Sequence, residues 1–227
     1  DTGAIVAAMT TSIPEAANTG RNWDYRYCWI RDAYYVVRAL NRLGAADMLE
    51  SYLVYLRNLT DQSAGGHVQP LYSVSLQGDL TERIAPDMKG YRGMGPVRIG
   101  NQAYEHHQHD VYGQMILPLT QSFFDARFLR VGTVADFHAL EKVGDRAFAV
   151  YDKPDAGLWE FRTIARVHTY SALLCWAACD RLANVAVSLG LKDRSAFWSR
   201  RAGIIRKAIE TKAWNEKLGI FGGSFGG

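Results

Sequence analysis

The chain has 227 residues, 48% of them hydrophobic and 12% aromatic, which excludes an intrinsically disordered protein and allows one large domain, or part of one, with a substantial core. Its 26 basic and 23 acidic side chains leave a net charge of +3, spread along the sequence. So small and diffuse a charge gives no ground for a nucleic-acid partner or an anionic membrane.

No stretch approaches a membrane span, and the opening Asp-Thr-Gly-Ala-Ile-Val-Ala-Ala is too short for the apolar region of a signal peptide. Cys28, Cys175 and Cys179 are an odd number without metal-site spacing, and Cys175 and Cys179, one helical turn apart in an apolar run, read as buried thiols, so a reducing cytoplasm is the expected compartment. The start at Asp1 without Met and the glycine-rich end at 221–227 give the expectation of a piece of a larger protein.

Residues 22–32, Asn-Trp-Asp-Tyr-Arg-Tyr-Cys-Trp-Ile-Arg-Asp, come first among the informative segments. Two Arg and two Asp among the aromatics do not suit a core, because an unpaired buried charge costs several kcal/mol. Two Trp and two Tyr do not suit a plain solvated surface. A cleft that stacks apolar faces on a ligand and hydrogen-bonds its edges accommodates both, and sugars have that character. A structural aromatic cluster with internal ion pairs is the alternative.

Helical periodicity follows. Residues 30–43 place Ile30, Ala33, Tyr34, Val37, Leu40 and Leu43 on one face, and residues 46–59 place Met48, Leu49, Tyr52, Leu53, Leu56 and Leu59. Residues 60–109 then break the pattern with repeated Gly and Pro. Within that excursion, Leu71–Leu76 alternates, and Gln77-Gly78-Asp79 predicts a turn that makes it a short hairpin. An irregular segment of this length in a helical domain is expected to be functional. Glu105-His-His-Gln-His-Asp110 admits a metal reading through His106 with His109 or Asp110, but no further ligand has suitable spacing, so hydrogen bonding is expected and no metal or other cofactor is assigned.

Further helices are expected at about 110–130, 133–150, 167–189 and 193–213, with Gly44, Gly132-Thr133 and Gly190 as punctuation. The fifth carries Val167, Tyr170, Leu174, Ala177, Ala178, Leu182, Val185 and Leu189, a face wide enough to be covered on more than one side. Helices joined alternately by short turns and long loops indicate a bundle or a ring of helical hairpins. Just ahead of the fifth helix, Asp155-Ala-Gly-Leu-Trp-Glu-Phe-Arg162 sets Glu160 between Trp159 and Phe161 with an Arg nearby. Apolar surroundings disfavour a charged carboxyl and an arginine favours it, a balance suited to a general acid, while a capping or ion-paired Glu is the plainer alternative. The terminal glycines lack the Lys-Ser/Thr of a phosphate loop.

At these residues the chain resembles glycoside hydrolase family 15, the glucoamylase family, in its prokaryotic branch. The resemblance rests on Thr10-Thr-Ser-Ile-Pro-Glu15, Arg21–Asp32, Gly95-Pro-Val-Arg-Ile-Gly-Asn101, His109-Asp-Val-Tyr-Gly113, Gly157-Leu-Trp-Glu160 and Gly222-Gly-Ser-Phe-Gly226, in the family's order along nearly the whole chain. It implies an all-α (α/α)6 barrel, here its first half with the loop excursion at about 60–109, so that residues 1–227 form a partial catalytic domain without the family's N-terminal β-sandwich. It implies hydrolysis of terminal α-glucosidic bonds with inversion. Glu160 matches the general acid, Arg31 and Asp32 the pair that grips the non-reducing-end glucose, Tyr25 and Trp29 aromatics of that subsite, and Trp159 and Arg162 the flanks of the acid. Arg98 and Asn101 are candidates for contacts further out. The second carboxylate that inversion requires matches no position here, so the 227 residues alone are expected to be inactive.

The leading expectation is a glucoamylase-type exo-α-glucosidase that releases glucose from an oligo- or polysaccharide of α-linked glucose; an α,α-trehalase of the same family, acting on trehalose, is the alternative. A non-catalytic carbohydrate-binding domain and a helical scaffold with an aromatic core are the competing classes.

Overall fold

The computed structural model describes residues 2–227; Asp1, the first residue of the expected domain, lies outside them. Six helices carry the fold: α1 (Ile30–Arg42), α2 (Ala46–Gln62), α3 (Val111–Thr120), α4 (Val134–Val150), α5 (Thr169–Ser188) and α6 (Lys192–Lys212). They form three hairpins side by side. α1, α3 and α5 are neighbours in one layer, while α2 and α4 pack behind α1 and α3, and α6 lies along α5.

The local chemistry of each helix end explains its position. α1 starts where Trp29 is still extended and carries Asp32 in its first turn and Arg42 in its last, both favourable to the helix dipole. The chain then reverses through Gly44 at φ +84°. α4 opens with a capping box in which Thr133 and Asp136 exchange side-chain and backbone hydrogen bonds.

α5 sits at the centre, and its small side chains permit close packing. Ala172, Cys175, Ala178, Cys179, Ala183 and Ala186 are buried along it. Gly113 of α3 lies so close that a Cβ there would sit 2.4 Å from the Leu174 carbonyl oxygen. Trp198 of α6 is fully buried against this layer and donates its indole N–H to Glu141 of α4 at 2.7 Å. Arg194 and His138 also reach Glu141, so the buried carboxylate is well supplied with donors. All three cysteines are free and buried, and burial pushes the Cys28 and Cys179 thiols up to about 12.

Several expectations need correction. The Leu71–Leu76 hairpin does not form. β2 (Leu71–Tyr72) pairs antiparallel with β1 (Cys28–Trp29) instead, in the register Cys28 with Tyr72 and Trp29 with Leu71. The chain then coils tightly: the Ser73 hydroxyl accepts from the backbone N–H groups of Ser75 and Gln77, and Leu76 takes φ +69°. The excursion's hairpin-like pair is β3 (Arg83–Ile84) with β4 (Arg98–Ile99), and a last pair joins β5 (Trp214–Asn215) to β6 (Ile220–Phe221). The third helix is shorter than its pattern, stopping at Thr120 before a 3-10 turn at Gln121–Phe123, where the Thr120 and Ser122 hydroxyls take up the carbonyls of Leu117 and Leu119. Leu43 and Met48, placed on core-facing stripes by the sequence, are exposed, Leu43 as the C-terminal cap of α1 and Met48 in the first turn of α2.

Among the described residues no helix is long and apolar enough to cross a membrane.

Candidate active site

Three segments from distant parts of the sequence meet at one cavity of about 660 Å³. The first is the β1–α1 junction, which brings Trp29, Arg31 and Asp32. The second is the end of the excursion, which brings Asn101, Ala103 and His106. The third is the loop ahead of α5, which brings Leu158 to Arg162. Glu15, Arg21, Trp23 and Tyr25 complete the wall.

Glu160 is the focus of the hydrogen bonding. Its Oε1 accepts from the Trp29 indole N–H at 2.8 Å and from Arg31 Nη2 at 3.1 Å. Among the described residues, Oε2 has no hydrogen-bond donor. The residue occupies the left-handed region at φ +55°, which turns its side chain back toward Arg31. Gly157, at φ +65°, begins this turn, and a Cβ there would strike the His168 ring at 2.7 Å.

Arg31 is held from several sides. Its Nη1 donates to Gln108 Oε1 at 3.0 Å, and its Nη2 lies 3.6 Å from Asp32. Burial alone would lower the guanidinium pKa, but Glu160, Asp110 and Asp32 outweigh it and raise it. Asp110 is fully buried behind Arg31. Burial pushes its carboxyl up to about 6 against the pull of Arg31, and Gln114 donates to it at 2.6 Å. Partial burial lowers the pKa of His106 in the cavity wall.

The aromatic walls are arranged for stacking. Tyr25 and Trp29 lie 5.9 Å apart between ring centroids, tilted by 47°. Trp159 is 75% exposed at the mouth, and the Arg162 guanidinium sits 4.3 Å above the Trp23 ring. Glu15 accepts from both Trp23 and Arg21 at 2.9 Å, and these bonds hold its carboxyl below the usual range. A cavity with flat apolar rings on its sides and a fixed carboxyl–guanidinium pair between them suits a pyranose ring.

The model of the glycosyl hydrolases family 15 matches residues 1–223. The chain belongs to glycosyl hydrolases family 15. Similar curated proteins include a trehalase of Thermoplasma volcanium, 35% identical over 97% of this chain and 34% of its own length. A trehalase of Mycolicibacterium smegmatis is 33% identical over 92% of this chain and 31% of its length. The chain thus spans about a third of the length of these relatives. Among solved structures, a bacterial glucoamylase complexed with acarbose superposes with a TM-score of 0.65 at 16% identity, over 95% of this chain and 27% of its own. That likeness shows the fold: the helical hairpins are those of an (α/α)6 barrel.

The family resemblance named nine residues, and eight of them line the cavity: Tyr25, Trp29, Arg31, Asp32, Asn101, Trp159, Glu160 and Arg162. Arg98 does not. It pairs with Glu82 and lies over the Trp23 ring, 5.1 Å from its centroid. Asn101 faces the cavity, but its side chain is engaged, donating to Asp24 O and capping the Ala103 N–H. Sequence reasoning missed Gln108, Asp110 and Asp155 as groups behind the site. Gln108 and Asp110 lay in the His-rich segment weighed for a metal, where residue type pointed elsewhere. Among the described residues no three His, Cys, Asp or Glu side chains converge as a metal site.

Proposed function

We propose that this chain supplies the general acid and the glucose-holding wall of an inverting α-glucosidase, with trehalose as substrate. The observation that carries the acid role is the single-sided engagement of Glu160. Two N–H donors fix Oε1, which leaves Oε2 to hold a proton at the cavity. In the reaction the proton passes from Oε2 to the glycosidic oxygen, the C1–O bond breaks, and a water oxygen attacks C1 from the opposite face. Arg31 and Asp32 grip the hydroxyls of the glucose, Tyr25 and Trp29 cover its flat face, and Trp159, Arg162 and Asn101 stand toward the leaving group. Arg98 supports Trp23 from outside the cavity.

No residue of this chain matches the family's second carboxylate, so the water-activating base is assigned to sequence beyond these 227 residues, which on their own release no glucose. Trehalose is placed ahead of maltooligosaccharides because the similar curated proteins at 33–35% identity are trehalases. The likeness to a glucoamylase supports the fold and leaves its substrate aside.

The test is Glu160→Gln in the full-length protein, assayed on trehalose, maltose, maltotriose and isomaltose. Turnover falls by about 10²–10⁴-fold with substrate binding retained. An unchanged rate removes Glu160 from the acid role, and preferential hydrolysis of maltotriose restores the glucoamylase-type reading. Sugar binding without turnover by the wild-type protein marks a non-catalytic domain.

A further inference from the structure

The Glu160 loop is closed by a set of bonds that converge on one buried carboxylate outside the cavity. Asp155 is 2% exposed. Its Oδ2 accepts from the His109 backbone N–H at 2.7 Å and from the Ser171 hydroxyl, in the first turn of α5, at 2.7 Å. Its backbone forms an antiparallel bridge with Arg166, at 2.9 and 3.2 Å, which closes the loop carrying Glu160. The next residue, Ala156, donates its N–H to His107 O at 2.9 Å.

These bonds fix the base of the acid loop to residues 107–109, and Gln108 lies between the two attachment points. Gln108 holds Arg31, and Arg31 holds Glu160. The result is a closed circuit: Asp155 to His109, Gln108 to Arg31, Arg31 to Glu160, and the loop from Glu160 back to Asp155. Both ends of the Arg31–Glu160 contact are therefore tied to the segment at Asp155, where the carboxylate adds its bonds from His109 and Ser171 to the backbone ones. Displacement of a reacting group by about 1 Å costs on the order of 100-fold in rate.

We propose that Asp155 is a positioning residue for the acid: it aligns Glu160 with the leaving oxygen by fixing the acid loop and the Gln108–Arg31 support to one anchor. This rests on the reading of Glu160 as the acid. A residue that acts through the acid matters most where the leaving group needs a proton. Glucose leaving from trehalose needs one, whereas fluoride leaving from α-glucosyl fluoride departs as a stable anion when the C1–F bond breaks and water adds to C1.

The experiment compares Asp155→Ala, Asp155→Asn, Ser171→Ala and Glu160→Gln in the full-length protein on trehalose and on α-glucosyl fluoride. Asp155→Ala lowers kcat on trehalose by about 100-fold and, because Arg31 also grips the glucose, lowers fluoride hydrolysis too, but by about tenfold less. Asp155→Asn keeps an oxygen acceptor for both donors and recovers most of the trehalose activity. Ser171→Ala removes one donor and shows the same selectivity at about a tenth of the effect. If Asp155→Ala does not fold, Ser171→Ala decides. Equal losses on both substrates, or none on either, overturn the proposal. Glu160→Gln serves as the reference. If it too fails to distinguish the substrates, the acid assignment falls; if it distinguishes them and the Asp155 and Ser171 variants do not, only the positioning role falls.

Discussion

Asparagine at position 110 tests the electrostatics behind Arg31 quantitatively. The carboxyl of Asp110 is fully buried, and its pKa stands at about 6 against an ordinary value of 3.8. A carboxyl whose pKa is raised by folding gives stability that is present below its unfolded value and lost as pH rises through its folded value. The difference of about 2 pH units is equivalent to about 3 kcal/mol, acquired as a penalty between pH 4 and pH 6 and constant above. Asp110→Asn removes the penalty but buries an amide N–H₂ where Asp110 Oδ1 now has no partner, at a cost of about 1 kcal/mol. The variant is thus expected to be more stable than wild type by about 2 kcal/mol at pH 7.5 and slightly less stable near pH 4. Denaturant unfolding of both proteins at half-unit pH steps measures the difference. A difference that stays constant across this range, or a variant that is the weaker of the two at pH 7.5, would refute the view that desolvation dominates Arg31's attraction at this site.

Trp29→Phe keeps the aromatic wall and removes the 2.8 Å indole hydrogen bond to Glu160. A charge-assisted bond of this kind corresponds to roughly 10- to 100-fold in kcat, with KM little changed, and steady-state kinetics on trehalose that show no fall in kcat contradict the role. Gly113→Ala forces a Cβ to 2.4 Å from the Leu174 carbonyl and is expected to destabilise the fold by about 1–3 kcal/mol. Gly203→Ala in α6 meets nothing within 4 Å and is expected to stabilise by about 0.5–1 kcal/mol, so paired thermal melts separate helix packing from helix propensity.

The sequence was most legible where the information is local. The stripes of α1, α2 and α5 and the punctuation at Gly44, Thr133 and Gly190 predict the helices with small boundary errors. The aromatic and charged residues of 22–32 and 155–162 stand out because such mixtures have few uses away from a cleft. What was not legible depends on partners far along the chain. Leu71 and Tyr72 have a strand's composition, but their partner is Cys28–Trp29 rather than the residues beyond the next turn. Asp155 carries no local signal, because the groups its carboxylate binds, His109 and Ser171, lie 46 and 16 residues away. The third helix was read too long because an apolar run continues past Thr120, while the backbone there turns on hydroxyl and carbonyl contacts that periodicity does not register.

Glu160 takes a left-handed backbone conformation, in which a side chain costs about 1–2 kcal/mol relative to glycine. Glycine is therefore the residue that its backbone suits best, and glycine carries no proton. The bonds that Oε1 accepts from Trp29 and Arg31, each worth about 1.5–3 kcal/mol where a charged group takes part, outweigh that cost and hold the strained backbone in place. The same contacts that fix the carboxyl therefore keep the loop in its unfavourable conformation, and a library built to improve the protein should vary Trp29, Arg31 and Glu160 together or not at all.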